Sequence, residues 1–390
     1  MDSDLTFTEA DDGLLQQYDE MATRAFGHTV GDITHLRGHA DVRVALRAGR
    51  VVAGGLGILA DQFFGGAAVP AACLAAGSVA PEERGDRLAA DMVRERLRHL
   101  REHGAVVSTI STVSNGYARH MGWEAPVPVF SWSVSSDDLK RSFASGGLEI
   151  EHGLTKDALD LQQELARQWN GPVRRPDWWS TWTTVKNALT TYRFNHPGGP
   201  VAGWISLATK RSDRHGMNLV VHDFWAADPD CATAMLAFLG RYNSRAETVQ
   251  FRRGALPPYP VLLHGLHRHR AKADAWHPWM LRILDLQGAI RMRGWPVELD
   301  LEMPVEIGDE RPGSSHRYLL RICAGSADLA PHRADGEVTF TRGQFAVWYA
   351  GGYRSAASAR MAGVMARSDA SLTTLVAVTG AREPWLPEHF

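Results

Sequence analysis

The opening part of the chain alternates hydrophobic and polar positions in a way that predicts one helix followed by three strands. Apolar residues at helical spacing run from residue 14 to residue 25, and the pair Phe26-Gly27 ends the pattern. Short apolar runs at 42–46 and 51–59 predict two strands joined by a tight turn. A further apolar run at 67–79 predicts the third strand.

The next segment joins that third strand to a long amphipathic helix through a charged turn. Leu88, Met92 and Leu97 lie on one face of the predicted helix, and arginines and glutamates occupy the other. Gly104 ends the helix, and residues 105–110 predict another strand. A strand, a glycine-containing turn and a helix form an anion-binding arrangement, because the first N–H groups of a helix have no partners inside it.

The rest of the chain contains two composition changes that predict domain boundaries. The Ser-rich stretch 137–147 predicts a linker, and Met292-Arg-Gly-Trp-Pro296 marks a second break. The middle region has helical patterns but no glycine-rich phosphate turn, and the last region alternates short strands with a late helix. We therefore predict three α/β (α+β) domains, at residues 1–136, 147–290 and 297–390.

Composition narrows the class of protein. The chain has 390 residues, of which 44% are hydrophobic, and 42 Lys plus Arg against 44 Asp plus Glu give a net charge of -2. No overall field recruits nucleic acid or an anionic membrane, so neither is expected as a partner. Three widely spaced cysteines predict no disulfide framework and no metal site. An acidic N-terminus and an apolar stretch interrupted by glycines predict a cytoplasmic protein without a membrane span.

The charged turn carries the most specific motif. The segment Ser78-Val-Ala-Pro-Glu-Glu-Arg-Gly-Asp-Arg-Leu-Ala89 resembles the pyrophosphate loop of the GNAT superfamily of N-acetyltransferases, V-x-P-x-x-R-G-x-G-x-G/A. The resemblance implies that acetyl-CoA binds here as co-substrate, with backbone N–H groups on its pyrophosphate. The residues that it assigns to this binding are Gly77, Val79, Arg84, Gly85, Arg87 and Ala89.

Arg87 replaces the central glycine of that motif, and two interpretations remain open. The guanidinium could bind a phosphate through a charge-assisted hydrogen bond, a contribution of roughly 1.5–3 kcal/mol. Alternatively, a non-glycine residue in a strained loop costs about 1–3 kcal/mol, and Glu82, Glu83 and Asp86 would repel an anion. Whether this loop binds acetyl-CoA depends on which interpretation holds.

A second motif lies about 30 residues further on. Asn115-Gly-Tyr-Ala-Arg-His-Met-Gly-Trp123 is similar to the segment by which many GNAT enzymes place a tyrosine beside the CoA sulfur. The resemblance implies that Tyr117 is the general acid that protonates the leaving thiolate. The alternative is an aromatic residue at a helix start that only contributes to packing.

The three-domain plan resembles the Eis ("enhanced intracellular survival") acetyltransferases within this superfamily. The run Phe345-Ala-Val-Trp-Tyr-Ala-Gly-Gly-Tyr353 suggests their sterol-carrier-like third domain, and the chain ends Pro384-Trp-Leu-Pro-Glu-His-Phe390, as theirs end in an aromatic residue. The resemblance implies two tandem GNAT-like domains, of which only the first has the loop, and a hexamer. It also implies that the α-carboxylate of Phe390 enters the active site as general base. A frayed tail is the alternative.

The residues expected around the substrate differ from those of Eis enzymes that acetylate aminoglycosides. Those enzymes have an acid after a Phe-Gly pair and another next to the last residue, whereas here Phe26-Gly27 is followed by His28 and the penultimate residue is His389. Imidazoles are mostly neutral at pH 7, so a polycationic substrate is disfavoured. Trp169, Trp178, Trp179 and Trp182 could line a pocket for an aromatic substrate or belong to the core.

Together these features predict an N-acetyltransferase that moves an acetyl group from acetyl-CoA to the amine of a small, less cationic metabolite or antibiotic intermediate. Two alternatives remain. One is an enzyme of the same fold that no longer uses acetyl-CoA and carries out acid–base chemistry on a small metabolite with His28, Tyr117, His389 and the C-terminus. The other is a non-catalytic binder of small molecules that uses its third domain.

Overall fold

The computed structural model describes residues 5–27, 36–85, 87–211, 216–258, 261–267, 271–276, 278–309 and 313–389. It contains two compact units. The first unit consists of residues 1–126 and 279–381, and the second consists of residues 127–278 and 382–389. Among the described residues, no helix combines the length and apolar character needed to cross a bilayer.

The helices and strands are numbered in chain order. The first part forms β1 (Leu5–Glu9), α1 (Asp12–Phe26), β2 (Asp41–Arg47), β3 (Arg50–Phe64), β4 (Ala67–Val79), α2 (Leu88–Glu102), β5 (Val107–Ser111) and α3 (Asn115–His120). The middle part forms β6 (Val129–Ser135), α4 (Ser136–Ser142), β7 (Glu149–His152), α5 (Lys156–Ala166), α6 (Asp177–Asn187), β8 (Thr190–Asn195), β9 (Val201–Arg211), β10 (Met217–Ala226), α7 (Pro229–Gly240), β11 (Ala246–Phe251), α8 (Val261–Gly265) and β12 (Lys272–Trp276). The last part forms β13 (Trp279–Ile283), α9 (Leu286–Met292), β14 (Leu301–Gly308), β15 (Ser315–Cys323), β16 (Ser326–Pro331), β17 (Val338–Phe340), α10 (Arg342–Tyr349), α11 (Ala356–Met361), β18 (Met365–Ala366) and α12 (Asp369–Thr379).

The first helix shows how local sequence sets an element. The Asp11 side chain accepts a hydrogen bond from Leu14 N at 2.9 Å and caps the start of α1. Gly27 ends the helix with a φ of 75°, a left-handed conformation that glycine adopts without steric cost. The buried residues Tyr18, Met21 and Ala22 lie on one face. The predicted helix and its stop at Phe26-Gly27 are confirmed.

A six-stranded sheet forms the base of the first unit, in the order β1-β2-β3-β4-β5-β13. The strands pair antiparallel except for β4 and β5, which are parallel and joined through α2. The β4–β5 pairing ends at Leu74 and Ile110, although β4 continues to Val79. The last five residues of β4 therefore have an edge that β5 does not cover.

A five-stranded sheet, β16-β15-β14-β17-β18, and helices α9 to α12 complete the first unit. Its core is aromatic, with Phe340, Phe345 and Trp348 packed at centroid distances of 5.1–5.9 Å. It packs on the six-stranded sheet through Phe64 and Tyr349, whose rings are 4.9 Å apart. This is the C-terminal domain that the sequence predicts.

The second unit is built on a seven-stranded sheet in the order β12-β6-β11-β10-β9-β8-β7. The apolar helix α7 packs against it, and nine of its 12 residues are buried. The stretch 137–147 was expected to be a linker, but its first half belongs to α4. Leu139 is fully buried in the core with α7, and the Ser136 hydroxyl donates to Ala246 O, which explains the helix.

Strand pairing does not follow the sequential boundaries. The predicted first domain, 1–136, includes β6, but β6 pairs with β11 and β12 of the second unit. Conversely, the predicted second domain, 147–290, includes β13, which pairs with β5 of the first unit. Each sheet thus takes one strand from a neighbouring stretch of sequence, and only the strand pairing reveals this.

The C-terminal tail docks on the second unit. Asn170 N donates to Glu383 O at 3.0 Å, and Trp385 N donates to Asn170 O at 2.8 Å, so the tail pairs like a short strand. The Trp385 indole donates to Gly254 O at 2.6 Å and packs against the rings of Trp169 and Trp225. The described tail residues are therefore ordered by pairing and burial rather than frayed.

Candidate active site

A cavity of about 340 Å³ opens in the first unit, beside the uncovered end of β4. Apolar surface makes up most of its wall. Its lining residues include seven that the sequence assigns to cofactor, substrate or catalysis: Phe26, Gly77, Val79, Arg84, Gly85, Ala89 and Tyr117. The uncovered edge gives such a cavity a row of backbone hydrogen-bonding groups for a ligand with amide groups.

The β4 wall of this cavity is shaped by a bulge. The β3–β4 register shifts between Gly54 and Leu56, and Ala76 has a φ of 49°. The buried Tyr18 hydroxyl donates to Ala76 O at 2.5 Å, so the carbonyl that the bulge turns away from the ladder has a partner. Burial raises the pKa of Tyr18 well above its usual value, so the phenol stays a donor at physiological pH.

Arg96 supports the same bulge from α2. It is only 2% exposed, and its guanidinium donates to Leu56 O and, at 2.8 Å, to Ala75 O. Burial lowers its pKa to about 10, so it remains charged at neutral pH. A Cβ at Gly55 or Gly77 would lie within 2.5–2.9 Å of this guanidinium, which explains the glycines at both positions. The sequence analysis missed Arg96; these glycines on the facing strands were the available signal.

The loop after β4 begins with a short helical turn and contains a glycine in the positive-φ region. Pro81–Glu83 form a short 3₁₀ turn, and Gly85 has a φ of 111°, which non-glycine residues rarely adopt. The Arg84 guanidinium donates to Ala25 O at 3.1 Å and so ties the loop to the end of α1. The first N–H groups of α2 follow at Leu88.

The acids of the loop are paired with arginines. Glu82 lies 3.4 Å from Arg24, and Glu83 forms an ion pair with Arg47. A backbone hydrogen bond lowers the pKa of Glu82, with Arg24 adding to the effect, so its side chain is ionised and paired. These two side chains therefore repel an anionic ligand less than the sequence suggests. Asp86 lies outside the described residues.

Arg87 stands at the start of α2 in an unstrained conformation. Its φ of -73° is one that any residue adopts, so the replacement of glycine brings no backbone penalty. Its side chain is exposed and is not among the described residues that line the cavity. The interpretation in which Arg87 strains the loop is therefore wrong.

Tyr117 lies on α3 and lines the same cavity with about a third of its surface exposed. Burial raises the pKa of its phenol above the ordinary value, while Arg94 and Arg96 oppose the shift. The phenol is therefore protonated at neutral pH, as a proton donor must be. Gly122, with a φ of 91°, ends this segment and places Trp123 in the core.

The remaining predicted site residues fall elsewhere. His28 and Phe390 lie outside the described residues, so their roles stay predictions. His389 lines a cavity of the second unit, and that wall also contains Trp179 and Trp182. Both tryptophans are at most 5% exposed, so they are core residues whose edges reach a cavity.

Beside that second cavity lies a buried ion network that the sequence analysis also missed. Arg175 Nη2 donates to Asp223 Oδ1 at 2.6 Å, and Arg175 Nε donates to Glu388 Oε1 at 2.9 Å. Ser206 and the Val173 N–H satisfy the other two carboxylate oxygens at 2.7 and 3.0 Å. Glu388 thereby holds the C-terminal tail in the second unit.

Comparison with known families identifies all three regions. Models of the acetyltransferase (GNAT) domain match residues 6–125 and 171–283, and a model of the sterol carrier protein domain matches residues 286–387. No curated protein sequence matches the chain.

Solved structures share the fold over the whole chain. A GCN5-related N-acetyltransferase from Anabaena variabilis is 22% identical with a TM-score of 0.86, covering 99% of this chain and all of its own. A GCN5-related N-acetyltransferase from Kribbella flavida is 24% identical with a TM-score of 0.79, covering 99% and 98%. Eis1 from Mycobacterium abscessus is 16% identical with a TM-score of 0.76, covering 99% and 100%. The chain therefore contains two acetyltransferase (GNAT) domains and a C-terminal sterol carrier protein domain, and it shares its fold with Eis1.

Proposed function

We propose that the chain is an N-acetyltransferase that uses acetyl-CoA in the cavity of the first unit. The observation that carries the proposal is the meeting of the uncovered end of β4, the Gly85 turn, the start of α2 and the Tyr117 phenol around one cavity. The β4 edge suits an amide-containing arm, and the turn suits a pyrophosphate. Arg87, at the solvent-facing start of α2, is compatible with this use.

The reaction is a direct transfer. The substrate amine loses a proton to a base and attacks the thioester carbon, the C–S bond breaks, and Tyr117 gives its proton to the departing sulfur. A backbone N–H near Val79 polarises the thioester carbonyl. The products are an acetamide and CoA, and Tyr117 regains a proton from solvent. The ring of Phe26 on the cavity wall suits contact with the acceptor.

The base that we propose is the α-carboxylate of Phe390, as the resemblance to Eis enzymes implies. Support comes from the tail before it, which is held by Trp385 and Glu388. A fixed tail can present one carboxylate reproducibly, which a frayed tail cannot do.

The acceptor that we propose is a small amine without multiple positive charges, of the kind found in natural-product or antibiotic metabolism. His28 and His389 occupy positions where aminoglycoside-acetylating relatives have acids. We further propose that the protein works in the cytoplasm as a hexamer, as composition and family resemblance suggest.

The proposal is tested by calorimetry with acetyl-CoA and by turnover of an amine panel. We expect saturable acetyl-CoA binding. Tyr117→Phe should lower kcat by about 10²–10⁴-fold with little change in acetyl-CoA affinity. Tyr318→Phe, another partly buried tyrosine whose pKa is raised by burial, is the matched control and should keep full activity. Failure to bind acetyl-CoA at millimolar concentration would exclude the proposed function.

The proposed base has a separate test. Deleting Phe390, or extending the chain by one glycine after it, should abolish turnover while acetyl-CoA affinity stays the same. The extension keeps the aromatic side chain and displaces only the carboxylate. Full activity in the extended chain would eliminate the carboxylate as base but leave acetyl transfer intact.

A further inference from the structure

Basic side chains surround the cavity of the second unit. Lys186 on α6 and His222 on β10 line it. Arg252 and Arg253, which follow β11 directly, line it as well. Within the described part of the chain, Lys186 has no ion-pair partner, and its ammonium instead lies 4.6 Å from the centroid of the Trp182 ring. Arg252 donates to the neutral amide of Asn187 at 3.2 Å. Lys186 and Arg252 therefore line one space without an acidic partner of their own among the described residues.

The acids that line the cavity do not offset these cations. They are Asp223 and Glu388 among the described lining residues, and Arg175 holds both at 2.6 and 2.9 Å. With one acid counted against Arg175, at most one negative charge is left against Lys186 and Arg252. The cavity wall is therefore net positive at neutral pH.

The pKa values of the basic groups are lowered first by burial and then by the neighbouring arginines. Burial, with Arg252 and Arg253 adding to it, lowers the pKa of Lys186 to about 8. Burial and then Arg252 lower the pKa of His222 to about 4, so the imidazole is neutral at pH 7 and remains a hydrogen-bond donor. Placing Lys186 and Arg252 on one partly buried wall with at most one free acid is unfavourable in the empty cavity and becomes favourable when an anion binds.

The size and walls of the cavity limit what it can hold. Its volume is about 70 Å³, several times the roughly 10–15 Å³ that one water requires, so a carboxylate or phosphate group fits. Trp179 and Trp182 form one side, which suits a flat group next to the anion.

We propose that the cavity of the second unit is a binding site for an oxyanion, a carboxylate or phosphate group, held by Lys186 and Arg252 with His222 as an additional donor. The second GNAT domain lacks the glycine-rich loop of the first. Its anion site is built from side chains instead of the backbone N–H groups of such a loop. The site does not depend on acetyl-CoA binding in the first unit.

The test uses the full chain without acetyl-CoA, with sodium phosphate and sodium benzoate as probes at constant ionic strength. Binding is followed by calorimetry, by tryptophan fluorescence from Trp179 and Trp182, and by the rise in melting temperature that a bound ligand causes. Lys186→Gln and Arg252→Gln should each weaken binding by at least about tenfold, because each removes a charge-assisted hydrogen bond. Lys186→Arg keeps the charge and should restore most of the affinity.

Lys140→Gln is the matched control, since Lys140 is an exposed lysine of the same unit whose ammonium contacts Asn243 instead of the cavity. It should bind both probes like the wild type. Tighter binding of benzoate supports an aromatic carboxylate as the ligand, and tighter binding of phosphate supports a phosphorylated one. Absence of saturable binding of both probes up to about 10 mM, or equal losses in Lys140→Gln and Lys186→Gln, would overturn the proposal.

Discussion

Replacing Arg175 by methionine tests how the second unit holds the C-terminal tail. Arg175, Asp223 and Glu388 are 8%, 7% and 5% exposed, so removing the guanidinium leaves two buried carboxylates without a cation. Breaking a buried ion pair from one side costs about 3–5 kcal/mol. For a domain of this size that corresponds to a fall in melting temperature of roughly 2–4 °C per kcal/mol.

The pH dependence of this loss gives a sharper test than its size. In the wild type, burial acts to raise the pKa of Asp223, but Arg175 more than offsets this effect, so the pKa of Asp223 is lowered. The contribution of Asp223 to stability is therefore lost only as the pH falls through its folded-state pKa. Burial raises the pKa of Glu388 despite Arg175. Without the guanidinium both folded-state values rise above those of the unfolded chain, so the folded variant takes up protons first. The variant should therefore regain stability as the pH falls from 7 towards 5.

The assay is chemical denaturation followed by tryptophan fluorescence at pH 7 and pH 5. Adding Glu388→Gln to Arg175→Met should recover part of the lost stability, because one buried charge is then removed. A stability loss below about 1 kcal/mol at pH 7, or a loss that does not shrink at pH 5, would refute the reasoning, since both outcomes require carboxylates that are not truly desolvated.

Three further predictions concern the loop and the tail. Gly85→Ala places a Cβ at a φ of 111°, a strain of about 1–3 kcal/mol, so acetyl-CoA affinity by calorimetry should fall about tenfold; unchanged affinity would mean that the turn does not contact the ligand. Arg87→Ala should change that affinity less than about threefold, because the side chain is exposed and away from the cavity wall, and a larger loss would give it a phosphate-binding role. Trp385→Ala should destabilise the second unit by about 3–5 kcal/mol in denaturant unfolding, whereas Trp385→Phe should lose less; equal losses would place the effect in the indole hydrogen bond to Gly254.

Local sequence predicted the elements that depend on near neighbours. The cap and stop of α1 and the charged turn before α2 are set by residues within a few positions of each other. Such local interactions do not depend on the rest of the fold, so the sequence alone predicts them. The motifs at 78–89 and 115–123 also identified the cavity wall, because a strand–turn–helix segment places its own residues together. The fold class and the three-domain composition followed from these motifs and the family resemblance.

Burial of charge could not be predicted in the same way. In the sequence of α2, nothing distinguishes Arg96 from the other arginines of the helix. In the structure, the facing glycines of β3 and β4 give its guanidinium space beside the carbonyls of the bulge. Arg175 likewise gains its partners from β10 and from the tail, far away in sequence. A buried cation is stable only where such partners meet it, and periodicity does not reveal where that happens.

The sequence by itself therefore determined α1, strands β2 to β5, helix α2, the domain types and the loop that resembles an acetyl-CoA site. The tertiary structure alone decided that β6 and β13 belong to sheets other than those their sequence positions suggest, and that the tail packs on the second unit. It also decided that basic residues from three separate elements meet around one cavity there. The physical reason is that local propensity acts over a few residues, whereas strand pairing and the satisfaction of buried charges join groups up to about two hundred positions apart, as between Arg175 and Glu388.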